Sequence, residues 1–87
     1  MNKTWTDKAW DQFLYWELQD RKTFRKINNL IKALDRDPFS GIGKPEPLKH
    51  ELQGCWSRRI DEKNRLVYKV KNDGIIILEC GSHYGDK

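Results

Sequence analysis

The stretch Cys55-Trp-Ser-Arg-Arg-Ile-Asp-Glu-Lys-Asn-Arg-Leu-Val-Tyr-Lys-Val70 predicts two strands joined by a polar turn at residues 61–64. Alternating positions on both strands are apolar, so one face of this hairpin is expected to enter the core. The apolar positions are Trp56, Ile60, Leu66, Tyr68 and Val70. The other face carries Ser57, Arg59, Arg65 and Lys69. Opposed residues must share a face, which brings Arg59 close to Arg65, and the cations gathered there are expected to bind an anion.

Arg58 interrupts this alternation, because its even position places a cation on the apolar face. A guanidinium group is costly to bury unless its charge and its donors are matched. We therefore expect Arg58 either to extend along the apolar surface to the edge of the sheet or to pair with a carboxylate.

The composition favours one small domain, residues 1–87, in the cytoplasm. With 87 residues the core must be thin, and ten aromatic side chains (four Trp, three Tyr, three Phe) supply much of it. We find no run of 18 apolar residues and no charged-then-apolar leader, so we expect neither a membrane span nor secretion. Cys55 and Cys80 are too few to form a disulfide framework and are expected to be reduced.

The net charge of +4 suits an anionic partner, but the basic residues are spread along the chain. Residues 1–43 contain eight basic and six acidic side chains, and residues 44–87 contain nine and seven. A nucleic-acid-binding surface must therefore be assembled by folding, from side chains gathered onto one face.

The first twenty residues predict a short strand followed by a helix. Residues 3–6 have strand character, and Thr6 is placed to cap a helix that runs from Asp7 to about Gln19. The stripe of that helix expected in the core is Trp10, Phe13, Leu14 and Leu18. Tyr15 and Trp16 lie off this stripe, which suggests a surface for self-association.

A second helix follows, and its apolar positions form one clean stripe. Asp20 is expected to cap it, and it ends near Asp35, before Pro38. The stripe consists of Phe24, Ile27, Leu30, Ile31 and Leu34. The two helices are therefore expected to form an antiparallel hairpin.

The second half of the chain predicts an antiparallel meander. Glycine and proline mark residues 39–47 as a loop, and residues 48–52 return to strand alternation. Residues 72–74 form a second hairpin turn before a buried strand at residues 75–80. The predicted fold class is α+β, with the helical hairpin packed on one face of a twisted antiparallel sheet. The opposite face, with its three cations, is expected to be open to water.

Glu46 is a candidate general base, because Pro45 and Pro47 hold it in extended backbone on a stiff segment. Lys44, Lys49 and His50 add positive potential around it. From spacing alone, an ion pair between Glu46 and one of these lysines on a solvated loop is the simpler interpretation.

His83 and Tyr84 follow the last predicted strand. A histidine titrates near neutral pH, so His83 is a candidate general acid, worth roughly 10²–10⁴ in rate if it lies beside a leaving group. Tyr84 is suited to stacking on a base or on His83, as in readers of single-stranded RNA. As alternatives, His83 is a residue of a frayed tail and Tyr84 covers the edge of the core.

One reaction uses this whole set of side chains. Cleavage of RNA by its own 2′-hydroxyl needs a base, an acid for the departing 5′-oxygen, and cations around the phosphorane. Glu46, His83 and the pair Arg59 and Arg65 supply these without a metal, and a guanidinium grips two phosphate oxygens at once. DNA lacks the attacking hydroxyl and should not be cut.

Competing motifs are weaker. His50, Cys55, Cys80 and His83 offer four zinc ligands, but their spacing is not that of a zinc finger or zinc ribbon. Gly41-Ile-Gly-Lys44 lacks the spacing and the hydroxyl of a phosphate-binding loop. No serine-nucleophile motif is present either, so no cofactor and no metal are expected.

Several blocks of the chain, between Trp5 and Tyr84, resemble the YoeB (Txe) branch of the RelE superfamily of type II toxin–antitoxin toxins. The most specific blocks are Gly43-Lys-Pro-Glu-Pro-Leu-Lys-His50 and Trp56-Ser-Arg-Arg-Ile60. The others are Trp10-Asp-x-x-Leu-Tyr-Trp16, Lys26-Ile-Asn28, Pro38-Phe39, Arg65-Leu-Val-Tyr68 and His83-Tyr84.

The resemblance implies a microbial-ribonuclease-like fold and a ribosome-dependent endoribonuclease that cleaves mRNA in the A site of the 30S subunit. It implies that Glu46 is the general base, His83 the general acid and Arg65 the phosphate stabiliser. Lys49, Arg59 and Tyr84 would hold and orient the substrate. The implied partners are mRNA on the ribosome, ribosomal RNA, a YefM-like antitoxin that displaces the C-terminal residues, and a second copy of the toxin.

Two positions depart from the family pattern. The family usually ends at the His-Tyr pair, whereas residues 85–87 continue here, and Asp86 is expected to alter His83 or to crowd the mRNA. Asn64 replaces the histidine that usually precedes the Arg-Leu-Val-Tyr block, with little expected effect in a turn. Two alternative functions remain open at this point: a module that binds RNA or blocks translation without cutting, and a protein-association module that has lost the toxin role.

Overall fold

The computed structural model describes residues 1–81. Two helices, α1 (Asp7–Gln19) and α2 (Arg21–Arg36), pack on one side of a five-stranded sheet. The strands are β1 (Asn2–Trp5), β2 (Glu46–Pro47), β3 (Trp56–Arg59), β4 (Arg65–Lys71) and β5 (Gly74–Cys80), and a short 3₁₀ helix covers His50–Leu52. No helix within the described range is both long enough and apolar enough to cross a membrane.

The sheet has the order β1-β5-β4-β3-β2. The three pairs from β2 to β5 are antiparallel, as the meander predicts, whereas β1 pairs with β5 in parallel. The parallel pair arises because the helical hairpin carries the chain away from β1 before the meander begins, and β5 returns alongside it. The predicted α+β class is confirmed, with a mixed rather than a purely antiparallel sheet.

The central hairpin has the predicted register. Trp56 pairs with Tyr68 and Arg59 pairs with Arg65. On the core side Ile60, Leu66 and Tyr68 are buried, while Trp56 is partly buried and packs against the core. The turn is closed by the Asp61 carboxylate, which accepts hydrogen bonds from the backbone of Lys63 and Asn64. The alternation of apolar and polar residues along the two strands therefore predicted correctly which side chains face the core.

A bulge between β4 and β5 keeps apolar side chains of β5 on the core side. Val67 lies opposite Glu79, but the next residue, Tyr68, lies opposite Ile77, so β5 contains one extra residue. The extra residue reverses the alternation. As a result Ile77 and Cys80 are both completely buried, although their positions differ in parity.

Capping residues start both helices as predicted. Thr6 accepts a hydrogen bond from the backbone N–H of Ala9 at 3.1 Å, and Asp20 accepts one from Thr23 at 3.1 Å. The bonds that Thr23 donates to the Asp20 carboxylate lower the pKa of that group. The second helix then buries Ile27, Leu30, Ile31 and Leu34, so its predicted stripe is correct at these four positions.

The predicted core stripe of α1 is shifted in phase and is correct only at Phe13, which packs against the core. Trp10, Leu14 and Leu18 are 45%, 38% and 82% exposed. The buried face instead carries Ala9 and Gln12, with Phe13 and Trp16 packed against the core. The polar end of β5 explains the shift. Cys80 N–H donates to Gln12 Oε1 at 2.8 Å, and Trp16 Nε1 donates to the carbonyl of Cys80 at 3.0 Å, so these polar side chains turn inward.

The strand predicted at residues 48–52 is also wrong. The extended segment is only Glu46–Pro47, inside the region predicted as a loop, and the chain then enters the 3₁₀ helix. His50 has a φ of 59°, and this left-handed conformation interrupts any extended backbone. Leu48 N–H donates to the carbonyl of Cys55 at 2.9 Å, which closes the turn between β2 and β3.

Arg58 is completely buried. Its side chain neither extends to the edge of the sheet nor pairs with a carboxylate, so both predictions for it are wrong. Its guanidinium donates to the carbonyls of Asp37 (2.6 Å), Ser40 (2.9 Å) and Ile42 (3.1 Å), and its Nε donates to the Tyr68 hydroxyl at 3.2 Å. The prediction considered only a carboxylate or solvent as a partner. Carbonyl groups of the loop after α2 satisfy the donors instead, so the charge is matched by backbone dipoles contributed from distant positions in the sequence.

Candidate active site on the basic sheet face

Glu46 lies on the edge strand β2, on the side of the sheet away from the helices. It pairs with Ser57 on β3, and Ser57 in turn pairs with Val67 on β4. The neighbouring pair on β3 and β4 is Arg59 and Arg65. Because directly paired residues project from the same side of a sheet, this face brings one carboxylate close to two guanidinium groups.

The carboxylate of Glu46 pairs with Arg65. Oε2 of Glu46 lies 3.7 Å from Nη1 of Arg65, and the two side chains are 54% and 37% exposed. This contact passes over β3, which separates the two strands. The simpler interpretation of the sequence, an ion pair with Lys44 or Lys49, is not the pairing found here. The partner is an arginine whose guanidinium can also bind phosphate.

Backbone contacts fix the segment that delivers Glu46. Arg59 N–H donates to the carbonyl of Gly43 at 2.7 Å, which ties the chain to β3 just before β2 begins. Gly43 has a φ of 86°, and an added Cβ would lie 2.8 Å from Leu30 Cδ2 and 3.0 Å from Arg58 Cβ. Only glycine fits this close approach with that backbone conformation. The stiffness inferred from two prolines is therefore supplemented by contacts with β3.

The remaining substrate-binding candidates among the described residues are exposed. Arg59 is exposed on the basic face, and Lys49 is exposed on the segment that directly follows β2. Exposure leaves both cations accessible to a large anion such as RNA. The roles of Arg59 and Lys49 in substrate binding stay predictions.

The face is less open to water than predicted. Arg59 and Lys69 are exposed, but Ser57 and Val67 on the same side are only 1% and 8% exposed. The Ser57 hydroxyl is the one buried side-chain polar atom within residues 1–81 that has no hydrogen-bond partner. Sequence analysis did not single out Ser57, since a serine on a polar strand face is an ordinary surface residue by pattern.

His83 and Tyr84, together with the extension that contains Asp86, lie outside the described residues. The last described residues show where the chain leaves β5. Cys80 pairs with Leu66, next to Arg65, and Trp16 Nε1 donates to the carbonyls of Cys80 and Gly81 at 3.0 and 3.3 Å. Residue 81 therefore lies near the end of the sheet where Arg65 begins β4.

Asn64 lies in the turn before β4, as predicted. Its side chain is close to Gly81, where an added Cβ would lie 3.0 Å from Asn64 Cβ. The position that departs from the family pattern therefore lies beside Gly81, the residue that follows β5, and the small effect expected there stays a prediction.

The residues considered for zinc do not form a site in the described part of the chain, where no group of three or more His, Cys, Asp or Glu side chains could hold a metal ion. Cys55 and Cys80 are both buried with free thiols. Burial, with a further contribution from Glu79, raises the pKa of the Cys80 thiol to about 12. Cys80 Sγ donates to the carbonyl of Ala9 at 3.4 Å, which suits a protonated thiol rather than a metal ligand.

Comparison of the chain with known proteins identifies similar sequences and structures. The model of the YoeB-like toxin of bacterial type II toxin–antitoxin systems matches residues 5–84. Toxin YoeB of Escherichia coli K12 is 52% identical over 84 residues, which cover 97% of this chain and 100% of that protein.

Two solved structures from Staphylococcus aureus are also similar, and each alignment covers 97% of this chain and 98% of the other. One is a YoeB dimer, with a TM-score of 0.87 and 44% identity. The other is a heterotetrameric YoeB–YefM toxin–antitoxin complex, with a TM-score of 0.89 and 44% identity. The fold, the family model and the identity over nearly the whole length agree, and the chain belongs to the YoeB family of type II toxin–antitoxin toxins.

Proposed function

We propose that this toxin is a ribosome-dependent endoribonuclease, an mRNA interferase that cuts mRNA in the A site of the 30S subunit. The observation that carries the proposal is the 3.7 Å pairing of Glu46 with Arg65 on a sheet face that also presents Arg59. One carboxylate and two guanidinium groups from three strands lie on this face, which supports the roles proposed for them.

In the proposed reaction Glu46 removes the proton from a 2′-hydroxyl of the mRNA. The 2′-oxygen attacks the adjacent phosphorus, and the bond from phosphorus to the 5′-oxygen breaks. Arg65 stabilises the negative charge that builds on the phosphate oxygens, and His83 gives a proton to the departing 5′-oxygen. The products are a 2′,3′-cyclic phosphate and a free 5′-hydroxyl. Side chains alone perform each of these steps.

The other cations serve substrate binding in this proposal. Arg59 and Lys49 contact the phosphate backbone, and Tyr84 stacks on a base. We expect the phosphate of the mRNA to displace Glu46 from Arg65, because the guanidinium can then bind two phosphate oxygens at once. The ion pair of the free protein is therefore expected to open on substrate binding.

The proposed partners follow from the relatives. A YoeB dimer and a YoeB–YefM complex are known from Staphylococcus aureus at 44% identity. We expect this chain to form a homodimer and to bind a YefM-like antitoxin. The exposed side chains Trp10, Leu14 and Leu18 lie on one side of α1 at four-residue intervals, and they are the proposed dimer surface. This surface differs from the one predicted from Tyr15 and Trp16, since Trp16 packs against the core.

The test is to induce the toxin without its antitoxin and to map the 5′ ends of cellular mRNA. The enzyme produces discrete new ends within translated reading frames, and Glu46→Ala produces none while folding normally. Growth arrest without new ends would show a toxin that binds RNA or the ribosome without cutting. Discrete cuts by Glu46→Ala at the wild-type rate would overturn the assignment of the base.

A further inference from the structure

The hydroxyl of Ser57 is buried without a partner in a position where it adjoins the proposed base. Ser57 is 1% exposed, and its Oγ is the only unsatisfied buried side-chain polar atom of the described range 1–81. A buried hydroxyl without a hydrogen bond destabilises a fold, because it loses its water partners on folding and gains none. Alanine would avoid this cost at the same position, so a serine here requires a reason other than stability.

The register of the sheet indicates what this hydroxyl can reach. Ser57 pairs directly with Glu46, and side chains paired in this way have Cβ atoms about 4.5–5.5 Å apart. A serine hydroxyl and the flexible end of a glutamate can form a hydrogen bond across that separation. In the free protein the Glu46 carboxylate is instead directed to Arg65, across the strand on which Ser57 lies.

The other charged groups of this face have different partners or roles. Glu79 pairs in register with Val67, and its carboxylate forms an ion pair with Lys8 at 3.1 Å. Arg59 and Lys69 are exposed to solvent, and Arg65 is the residue with which Glu46 pairs. Glu46 is therefore the charged acceptor that Ser57 faces most directly.

We infer that Ser57 is a positioning residue, whose hydroxyl donates a hydrogen bond to the Glu46 carboxylate once the substrate phosphate has taken over Arg65. The inference rests on the proposed function of Glu46 as the base. When the phosphate displaces Glu46 from the guanidinium, the carboxylate loses its counter-ion at the moment when it must point at the 2′-hydroxyl. A donor on the adjacent strand holds the carboxylate ionised and oriented without competing for the phosphate.

The inference predicts opposite effects of Ser57→Ala on stability and on catalysis. The substitution removes an unsatisfied hydroxyl, so the melting temperature should be equal to or higher than that of the wild type. The rate of mRNA cleavage on the ribosome, measured in a single turnover with saturating toxin, should fall roughly ten- to a hundredfold, the value of one lost hydrogen bond to a charged group. The acidic limb of that rate against pH should move to higher pH, because a carboxylate without its donor takes up a proton more readily.

The controls separate positioning from packing. Ser57→Thr keeps the hydroxyl and should restore most of the rate and the original pH profile. Ser40→Ala makes the same chemical change at an exposed serine outside the site and should change neither. A Ser57→Ala protein that cleaves at the wild-type rate with the wild-type pH profile would overturn the inference. A slower Ser57→Ala protein with lower stability and an unchanged pH profile would also overturn it, because that combination indicates packing alone.

The Glu46→Ala protein, assayed in the same series, tests the proposed function by itself. Loss of cleavage in Glu46→Ala, together with normal cleavage in Ser57→Ala, would leave Glu46 as the base and refute the role of Ser57. Undiminished cleavage in Glu46→Ala would refute the base and, with it, the residue that positions it.

Discussion

Glu46 and Arg65 form an ion pair across an intervening strand, with Glu46 on β2, Arg65 on β4, and β3 between them. Two side chains that reach over a strand in this way must be long, and both remain more than one third exposed. An exposed pair of this kind contributes at most about 1 kcal/mol to stability. The pair therefore contributes little to the stability of the fold. Its exposed position leaves both side chains accessible to a substrate.

The first prediction concerns this pair. Glu46→Gln should abolish cleavage of mRNA and growth arrest, because an amide does not accept a proton from a 2′-hydroxyl. The melting temperature should stay close to that of the wild type, since only an exposed ion pair is lost. Circular dichroism and 5′-end mapping measure the two effects. Glu51→Gln, an exposed glutamate in the 3₁₀ helix, is the matched control and should keep full activity. Full toxicity of Glu46→Gln would contradict the prediction.

The adjacent residues Arg58 and Arg59 should differ sharply in their effect on stability. Arg58→Met leaves three backbone carbonyls and the Tyr68 hydroxyl without their donor, and should lower the free energy of unfolding by roughly 2–5 kcal/mol. Arg59→Met, at an exposed position, should change it by no more than about 0.5 kcal/mol. Urea unfolding measures both.

Arg58→Lys is a further check on the same contacts. An ammonium group cannot reproduce the planar fork that binds several carbonyls at once, so lysine should not restore the stability. Equal stability of the Arg58→Met and Arg59→Met proteins would show that the buried hydrogen bonds contribute nothing.

The Cys80 thiol predicts a loss of stability in alkaline solution. Burial raises its pKa from 9.0 to about 12, so the unfolded chain loses this proton at a lower pH than the folded protein does. The stabilisation is fully present below pH 9 and is lost as the pH rises toward 12. The free energy of unfolding should therefore fall more steeply for the wild type than for Cys80→Ala, by up to about 1.4 kcal/mol per pH unit between pH 9 and 11.

Urea unfolding at several pH values measures this difference, and other titrating groups cancel in the comparison. Parallel curves for the wild type and Cys80→Ala would refute the buried, protonated thiol. Alkylation gives a second readout, because the Cys80 thiol should resist iodoacetamide at pH 8 until the protein unfolds.

The exposed side chains Trp10, Leu14 and Leu18 of α1 are the proposed surface of a homodimer. Leu14→Lys combined with Leu18→Lys should convert the dimer into a monomer, because two ammonium groups would have to be desolvated in the interface. Light scattering during size-exclusion chromatography measures the mass. Leu52→Lys, at an exposed leucine outside α1, is the matched control and should leave the dimer intact. A dimer that survives the double substitution would place the interface elsewhere.

The sequence alone predicted most of the local structure. The caps at Thr6 and Asp20, the apolar stripe of α2 and the register of the hairpin from β3 to β4 depend on neighbours in the chain or on strict alternation. The candidate site was predicted in part, since parity placed Arg59 opposite Arg65. The partner of Glu46 and the buried hydroxyl of Ser57 were not predicted, because both depend on how β2 docks against β3.

What the sequence by itself determined is the two helices, the strands other than β2, and the two faces of the central hairpin, because periodicity and capping act over a few residues. The tertiary structure alone decided which face of α1 is buried, how Arg58 is satisfied and which cation Glu46 meets. Each of these depends on groups distant in the sequence: the polar end of β5, the carbonyls of the loop after α2, and a guanidinium two strands away. Such contacts exist only after the chain has closed its long loops.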